Sequence, residues 1–180
     1  MIGIQHTGQQ ITRIGASVRR CAQGRDVAEE HRTWRVVGLH HVAFAHSGGG
    51  APRLLTELLG LTCAHEEAAD GFVERMLPAG NAYVQLLEAT GPGVVDRFVG
   101  RRGPGRHHVA FEVSDLGQAV SDLSARGVRL VDEAPRPGGM GTRVAFVHPE
   151  ALPGLLIELV ETPPDGPSDL VAGRSSRREA

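Results

Sequence analysis

Two nearly identical stretches carry the side chains best suited to chemistry, GLHHVAFAH at 38–46 and GRHHVAFEV at 105–113. Each holds a His-His pair followed by Val-Ala-Phe, so His41 and His108 occupy equivalent places in an internal repeat. Repeated supersecondary units pack as related halves, which brings equivalent residues face to face. Later in each copy another polar residue interrupts an apolar strand pattern: Gln85 in YVQLLE and Glu158 in LLIELVE. Alternate side chains of a strand face opposite sides of a sheet. His41 therefore shares a face with Ala43 and Ala45, and His108 with Ala110 and Glu112, while Val42, Phe44, Val109 and Phe111 point the other way. The bulky face is expected to pack on helices. The His-and-Ala face is expected to line a cleft, with Ala110 leaving space for a substrate. His40 and His107 fall on the face away from that cleft and take structural or supporting roles; His148, in FVHPE, is left open.

If the two units close into one curved sheet, His41, Gln85, His108 and Glu158 form a set of two nitrogens and two oxygens. Two neutral imidazoles, an amide oxygen and a carboxylate suit a divalent transition ion in octahedral geometry, with two positions left for substrate or water. Such a site carries a net charge of about +1 and favours an anionic oxygen ligand. A single histidine on a strand is more often a hydrogen-bonded core residue, but recurrence of the motif at matching places favours the ligand reading.

The elements that must position this set read as βαβββ, twice. After residues 1–35, a weakly patterned polar extension, the stretch from Arg35 is rich in β-branched and apolar residues and reads as a strand. Ala51–Leu59 places Leu54, Leu55, Leu58 and Leu59 at helical spacing before Gly60. Strands are expected near 61–65, 71–77 and 82–87, separated by Asp70-Gly71 and Ala79-Gly80-Asn81 turns. A linker helix at 94–99 and a Gly-Pro-Arg joint at 101–105 precede the second round. There a strand at 106–113 leads to a helix capped by Ser114-Asp115 and stopped by Gly127, then strands near 128–131, 142–147 and 155–160. The expected organisation is a 36–90 module, a 91–105 linker, a 106–162 module and a mobile 163–180 tail rich in Pro, Gly, Ser and charge.

Length and composition narrow the function class. At 180 residues with 41% hydrophobic content, the chain suits one compact α+β domain or two small modules sharing a sheet. A formal net charge of −2 supplies no bulk attraction to nucleic acid or membrane, so neither is expected as a partner. No apolar run approaches the roughly 20 residues of a membrane span, and no secretion signal is evident, so a cytoplasmic protein is expected. Cys21 and Cys63 lie outside any CxxC spacing and read as reduced structural thiols.

The repeat, the polar set and the stretches GFVERML, YVQLLEATGP, RHHVAFEV, GTRVAFVHP and GLLIELVE resemble the methylmalonyl-CoA epimerases of the vicinal oxygen chelate superfamily, over about residues 36–162. That resemblance implies two βαβββ modules forming a curved mixed sheet around a metal cleft, and a homodimer. It implies an acyl-CoA thioester substrate and a divalent metal on His41, Gln85, His108 and Glu158, with cobalt the expected ion and manganese, nickel or zinc the alternatives. It also implies catalytic acids at Glu74, in GFVERML, and Glu158, acting by 1,1-proton transfer through a metal-stabilised enolate. The chemistry agrees, because inverting a stereocentre through a planar enolate needs a proton removed from one face and one delivered to the other. HSGGGAPRLLTELLG departs from the family pattern after the first strand, whereas VSDLGQAV keeps it. Gly138–Gly141 reads as a flexible turn or as a point of close approach for the pantetheine arm. Arg101, Arg102 and Arg106 read as a solvated basic cluster, with contact to CoA phosphates as the alternative. Rival readings are a glyoxalase-type isomerase, an Fe(II) ring-cleavage dioxygenase and a non-catalytic resistance protein that sequesters a small molecule.

Overall fold

The computed structural model describes residues 33–49 and 52–163. The expected extension and tail lie outside these residues, apart from their inner ends. Eight strands make one mixed sheet: β1 (Val36–Ser47), β2 (His65–Ala69), β3 (Phe72–Ala79), β4 (Ala82–Ala89), β5 (Gly105–Val113), β6 (Arg136–Pro137), β7 (Arg143–Val147) and β8 (Leu156–Glu161). Their order is β2-β3-β4-β1-β5-β8-β7-β6. β1 and β5 pair antiparallel at the centre, β4 lies parallel to β1, and β8 lies parallel to β5. Each half thus repeats the other about the β1–β5 seam, and the sheet curls into a half-barrel as the α+β expectation required.

Helix α1 (Val94–Arg102) joins the halves, and α2 (Leu116–Ala125) belongs to the second. The Asp115 carboxylate accepts from the Gln118 backbone N–H at 2.9 Å and so caps α2, as its place before the apolar stripe predicts. Leu116, Ala119 and Val120 of α2 pack on Val113, Ala145, Val147 and Leu159, with Trp34 closing the cluster. The Trp34 indole donates to Asp122 Oδ2 at 3.1 Å, tying the start of β1 to α2.

Several expectations need correction. In place of a helix over 51–59 there is a five-residue π turn, Leu54–Leu58, that buries no residue. Leu58 is 76% exposed, so the leucine stripe finds no apolar surface among the described residues and a short helix has nothing to hold it. β2 lies at 65–69 rather than 61–65 because the tight Asp70-Gly71 turn pairs Ala69 with Phe72 and draws the strand back from there. Over 128–131 only Leu130 makes a bridge, to Val147. Beyond it the Asp132 carboxylate accepts from the Phe146 N–H, taking the place of a ladder bond. Among the described residues no helix covers the bulky face of β1: Phe44 is 39% exposed. α1 packs instead on the small-residue face, against Ala43, Ala45 and Leu87 through Val95, because only small side chains let a helix approach that closely.

Candidate active site

The sheet register builds the site in two adjacent rows. In one, Gln85 of β4 and His108 of β5 flank Ala43 of β1. In the other, His41 of β1 and Glu158 of β8 flank Ala110 of β5. The polar side chains lean together over the two alanines, each 0% exposed. Ala110 therefore does not leave space for a substrate; it is sealed among Val144 and Val160, and its small size lets the neighbours meet.

Meet they do. The Nε2 atoms of His41 and His108 stand 2.8 Å apart, and Glu158 Oε2 lies 3.0 Å from each. All three residues are buried. Donors held about 2.1 Å from an ion in adjacent octahedral positions stand about 3 Å apart, which matches this triangle. Gln85, also buried, directs its Nε2 to Glu74 Oε2 at 2.7 Å, and its Oε1 has no hydrogen-bond partner. A buried amide oxygen without a partner is costly unless something electropositive meets it. The donor set therefore fits a divalent cation, which His41, His108 and Glu158 could hold, with the unpartnered Oε1 of Gln85 available as a further oxygen donor.

The doublet histidines are placed by two β-bulges that strict alternation misses. Leu39 pairs with Phe111 and His41 with Ala110, leaving His40 as the extra residue of β1. Ala43 pairs with His108 and Phe44 with Arg106, leaving His107 as the extra residue of β5. Each bulge turns the first histidine toward the site rather than away from it. His40 Nδ1 lies 2.7 Å from His41 Nδ1, and His107 Nδ1 lies 2.8 Å from His108 Nδ1. Engaging each inner ring through Nδ1 leaves Nε2 directed at the centre. The visible signal was the doublet itself, since two like polar residues in succession cannot both obey a two-residue period. His148 lies apart, with Nδ1 3.5 Å from the exposed Glu150.

Glu74, from β3, joins Gln85, His108 and Glu158 in lining a cleft of about 680 Å³. Burial pushes its carboxyl up from the ordinary range, and the negative charges of Glu158 and Glu67 add to the effect. Glu158 is opposite in character. Burial alone would raise it, but hydrogen bonds to His108 and His41 outweigh burial and hold the carboxyl well below the usual carboxylate range. Burial lowers His41, partly offset by Glu158, and lowers His107 to about 4, with the His108 charge adding to the shift. The cleft thus holds one carboxyl shifted toward keeping its proton and one shifted toward staying ionised.

The loop from the second half completes the wall. A Cβ on Gly139 would lie 2.3 Å from Glu74 Oε1, so the backbone there sits directly on the carboxylate. Thr142 holds the loop through its N–H and Oγ1, both donating to the Gly139 carbonyl at 3.1 and 2.8 Å. Neither this contact nor the Gln85–Glu74 bond was visible in sequence spacing, because both join residues from different strands or halves.

Residues 40–146 match the family model of the glyoxalase/bleomycin resistance protein/dioxygenase superfamily. The mitochondrial methylmalonyl-CoA epimerase of Dictyostelium discoideum is 37% identical over 84 residues, 45% of this chain and 50% of its own, so the chain spans about half that relative's length. The crystal structure of methylmalonyl-CoA epimerase from Mycobacterium tuberculosis superposes with a TM-score of 0.67 at 38% identity, covering 72% of this chain and 90% of that one. A methylmalonyl-CoA epimerase in complex with methylmalonyl-CoA and NH4+ gives a TM-score of 0.66 at 31% identity, covering 71% and 95%.

Proposed function

We propose, from the premise that the chain belongs to the glyoxalase/bleomycin resistance protein/dioxygenase superfamily, that it is an epimerase of methylmalonyl-CoA or a close 2-substituted malonyl-CoA. The observation that carries this reading is the convergence of Glu74 and Glu158 on one cleft beside the paired imidazoles of His41 and His108. Two carboxylates whose proton affinities are driven apart are the apparatus a two-base proton transfer needs. Glu74 takes or returns the α-proton on one face of the substrate, and Glu158 serves the other. Gln85 holds Glu74 through its amide N–H, and the Gly139 backbone limits where that carboxylate can turn. Apolar side chains of Phe72, Leu87, Val131 and Phe146 line the same cleft and keep water from the reacting carbon.

His41, Gln85, His108 and Glu158 would hold a divalent ion, cobalt foremost, whose Lewis acidity stabilises negative charge on the thioester oxygen as the proton leaves. His40 and His107 fix the ring orientations of His41 and His108 for that purpose. Assembly as a cytoplasmic homodimer belongs to the same reading. The exposed Val37, Leu39 and Phe44 on β1 support the dimer, which equilibrium sedimentation tests.

The experiment for the activity is incubation of cobalt-loaded protein with a single methylmalonyl-CoA stereoisomer in deuterated water, following the α-proton by NMR. The expected result is loss of that signal with appearance of the other stereoisomer. Retention of both the proton and the configuration overturns the reading.

A further inference from the structure

We propose that the arginine-lined cavity beside the active cleft is the seat of the phosphates of the CoA nucleotide, a subsite that anchors the acyl-CoA substrate by its far end. The proposal rests on the acyl-CoA reading above. A cavity of about 310 Å³ is lined by Arg97, Arg101 and Arg102 of α1, Arg106 of β5, and the apolar turn before β8. No carboxylate lines it among the described residues. Among the other described arginines, Arg53, Arg75, Arg126, Arg129, Arg136 and Arg143 each meet a carboxylate. Of the described arginines without an ion pair, all except Arg35 gather at this cavity. Unneutralised guanidinium groups repel one another, so gathering them in one place has a purpose only if an anion joins them.

The arrangement is built rather than scattered. Val94, Arg97, Phe98, Arg101 and Arg102 fall at the spacing of a single helix face. The last-turn positions of Arg101 and Arg102 complement the helix dipole, but that accounts for neither Arg97 nor Arg106. Arg106 gives one guanidinium N–H to the Gly154 carbonyl at 3.1 Å, which holds its head at the cavity wall. Arg102 lies over the Phe98 ring at 5.9 Å.

The cavity adjoins the reaction cleft: Val94, His107 and Leu156 line both. From Val94 to the end of α1 is about 13 Å at the α-helical rise. A ligand that spans both cavities has a small acyl head, a neutral connector of roughly that length and a polyanionic end. CoA thioesters have that form, with a diphosphate and a 3′-phosphate at the end away from sulfur. The cluster that reads from sequence as solvated is thus better matched to a ligand.

The test measures binding of CoA, pantetheine and adenosine 3′,5′-bisphosphate to the full chain by calorimetry over a range of salt, alongside KM for the CoA thioester and its pantetheine counterpart. CoA is expected to bind at least about 10-fold more tightly than pantetheine, and the bisphosphate to compete with CoA. Arg97→Gln with Arg101→Gln is expected to weaken CoA about 10-fold or more, flatten the salt dependence and collapse the KM difference between the two thioesters. Arg126→Gln with Arg129→Gln, two arginines just beyond α2 that meet carboxylates away from the cavity, serves as the charge-matched control and keeps the salt dependence. Epimerisation with equal affinity for CoA and pantetheine, or with unaltered CoA affinity in the double variant, overturns the subsite and leaves the epimerase reading standing. Failure to bind CoA together with failure to epimerise overturns both.

Discussion

Gly139→Ala tests whether the loop of the second half sets the position of Glu74, the base proposed above, in the first. The added Cβ would stand 2.3 Å from Glu74 Oε1, whereas ordinary contact begins near 3.4 Å. Something must move by about 1 Å, and the loop is the less able to do so. The Gly139 carbonyl accepts two hydrogen bonds from Thr142, while Gly138 N–H donates to the Thr142 carbonyl at 2.9 Å. Gly139 does not occupy the left-handed region, so alanine is compatible with its backbone. The carboxylate therefore swings, and a displacement of about 1 Å at a reacting group lowers turnover about 100-fold, or about 2.7 kcal/mol in the barrier. The assay is kcat in both directions of epimerisation, with thermal unfolding measured on the same sample. Turnover should fall while Tm holds within a few degrees. Gly138→Ala is the contrasting variant, since its Cβ would strike Val144 and Thr142 rather than Glu74, and it should lower Tm. Wild-type kcat in Gly139→Ala, or a loss of activity that merely follows a loss of folded protein, refutes the positioning argument.

The half-buried Glu74 carboxyl is raised above its ordinary value of 4.5, so the fold is favoured by its protonated form, and that contribution is lost as pH rises through the folded value. Glu74→Gln should therefore melt at a higher temperature than wild type at about pH 8, the gap closing as pH falls toward 4.5 in a calorimetric series. His40→Phe and His107→Phe remove the groups that engage the Nδ1 atoms of His41 and His108; cobalt affinity by titration should drop about 10- to 100-fold in each. Chelation of the bound ion should abolish deuterium exchange into substrate and lower Tm, both restored by added cobalt. Asp115→Ala deletes the α2 cap and should cost about 1 kcal/mol, read as a fall of about 3 °C in Tm with kcat unaltered.

Much of this site is legible in the sequence because a repeat supplies what a single copy cannot. One strand with a histidine is a common object, but two matching strands predict the β1–β5 seam, and that seam brings His41 to His108. Period-two reading then puts Gln85 and Glu158 on the cleft face, where they lie, since β4 and β8 are regular through those positions. It fails at His40 and His107, where each bulge adds a residue to one strand and shifts the alternation. It also fails for Leu54, Leu55, Leu58 and Leu59, because periodicity records an apolar face without recording whether a surface exists to receive it. The contacts of Glu74 are beyond any local pattern. They depend on a hydrogen bond across β3 and β4 and on a loop from beyond β6.

The pairing of Gln85 with Glu158 across the seam has a further consequence. A duplicated scaffold offers the same seat twice, and here one seat is filled by an amide and the other by an acid. Two acids would crowd the cleft with charge, and Gln85→Glu would set a carboxylate against Glu74 where a donor now stands 2.7 Å away. Two amides would leave the imidazoles without their anion. The two halves are therefore alike in backbone and unlike in proton chemistry. On the epimerase reading, that difference of a single functional group would give the two faces of the enolate carbon unlike partners in a nearly symmetric molecule.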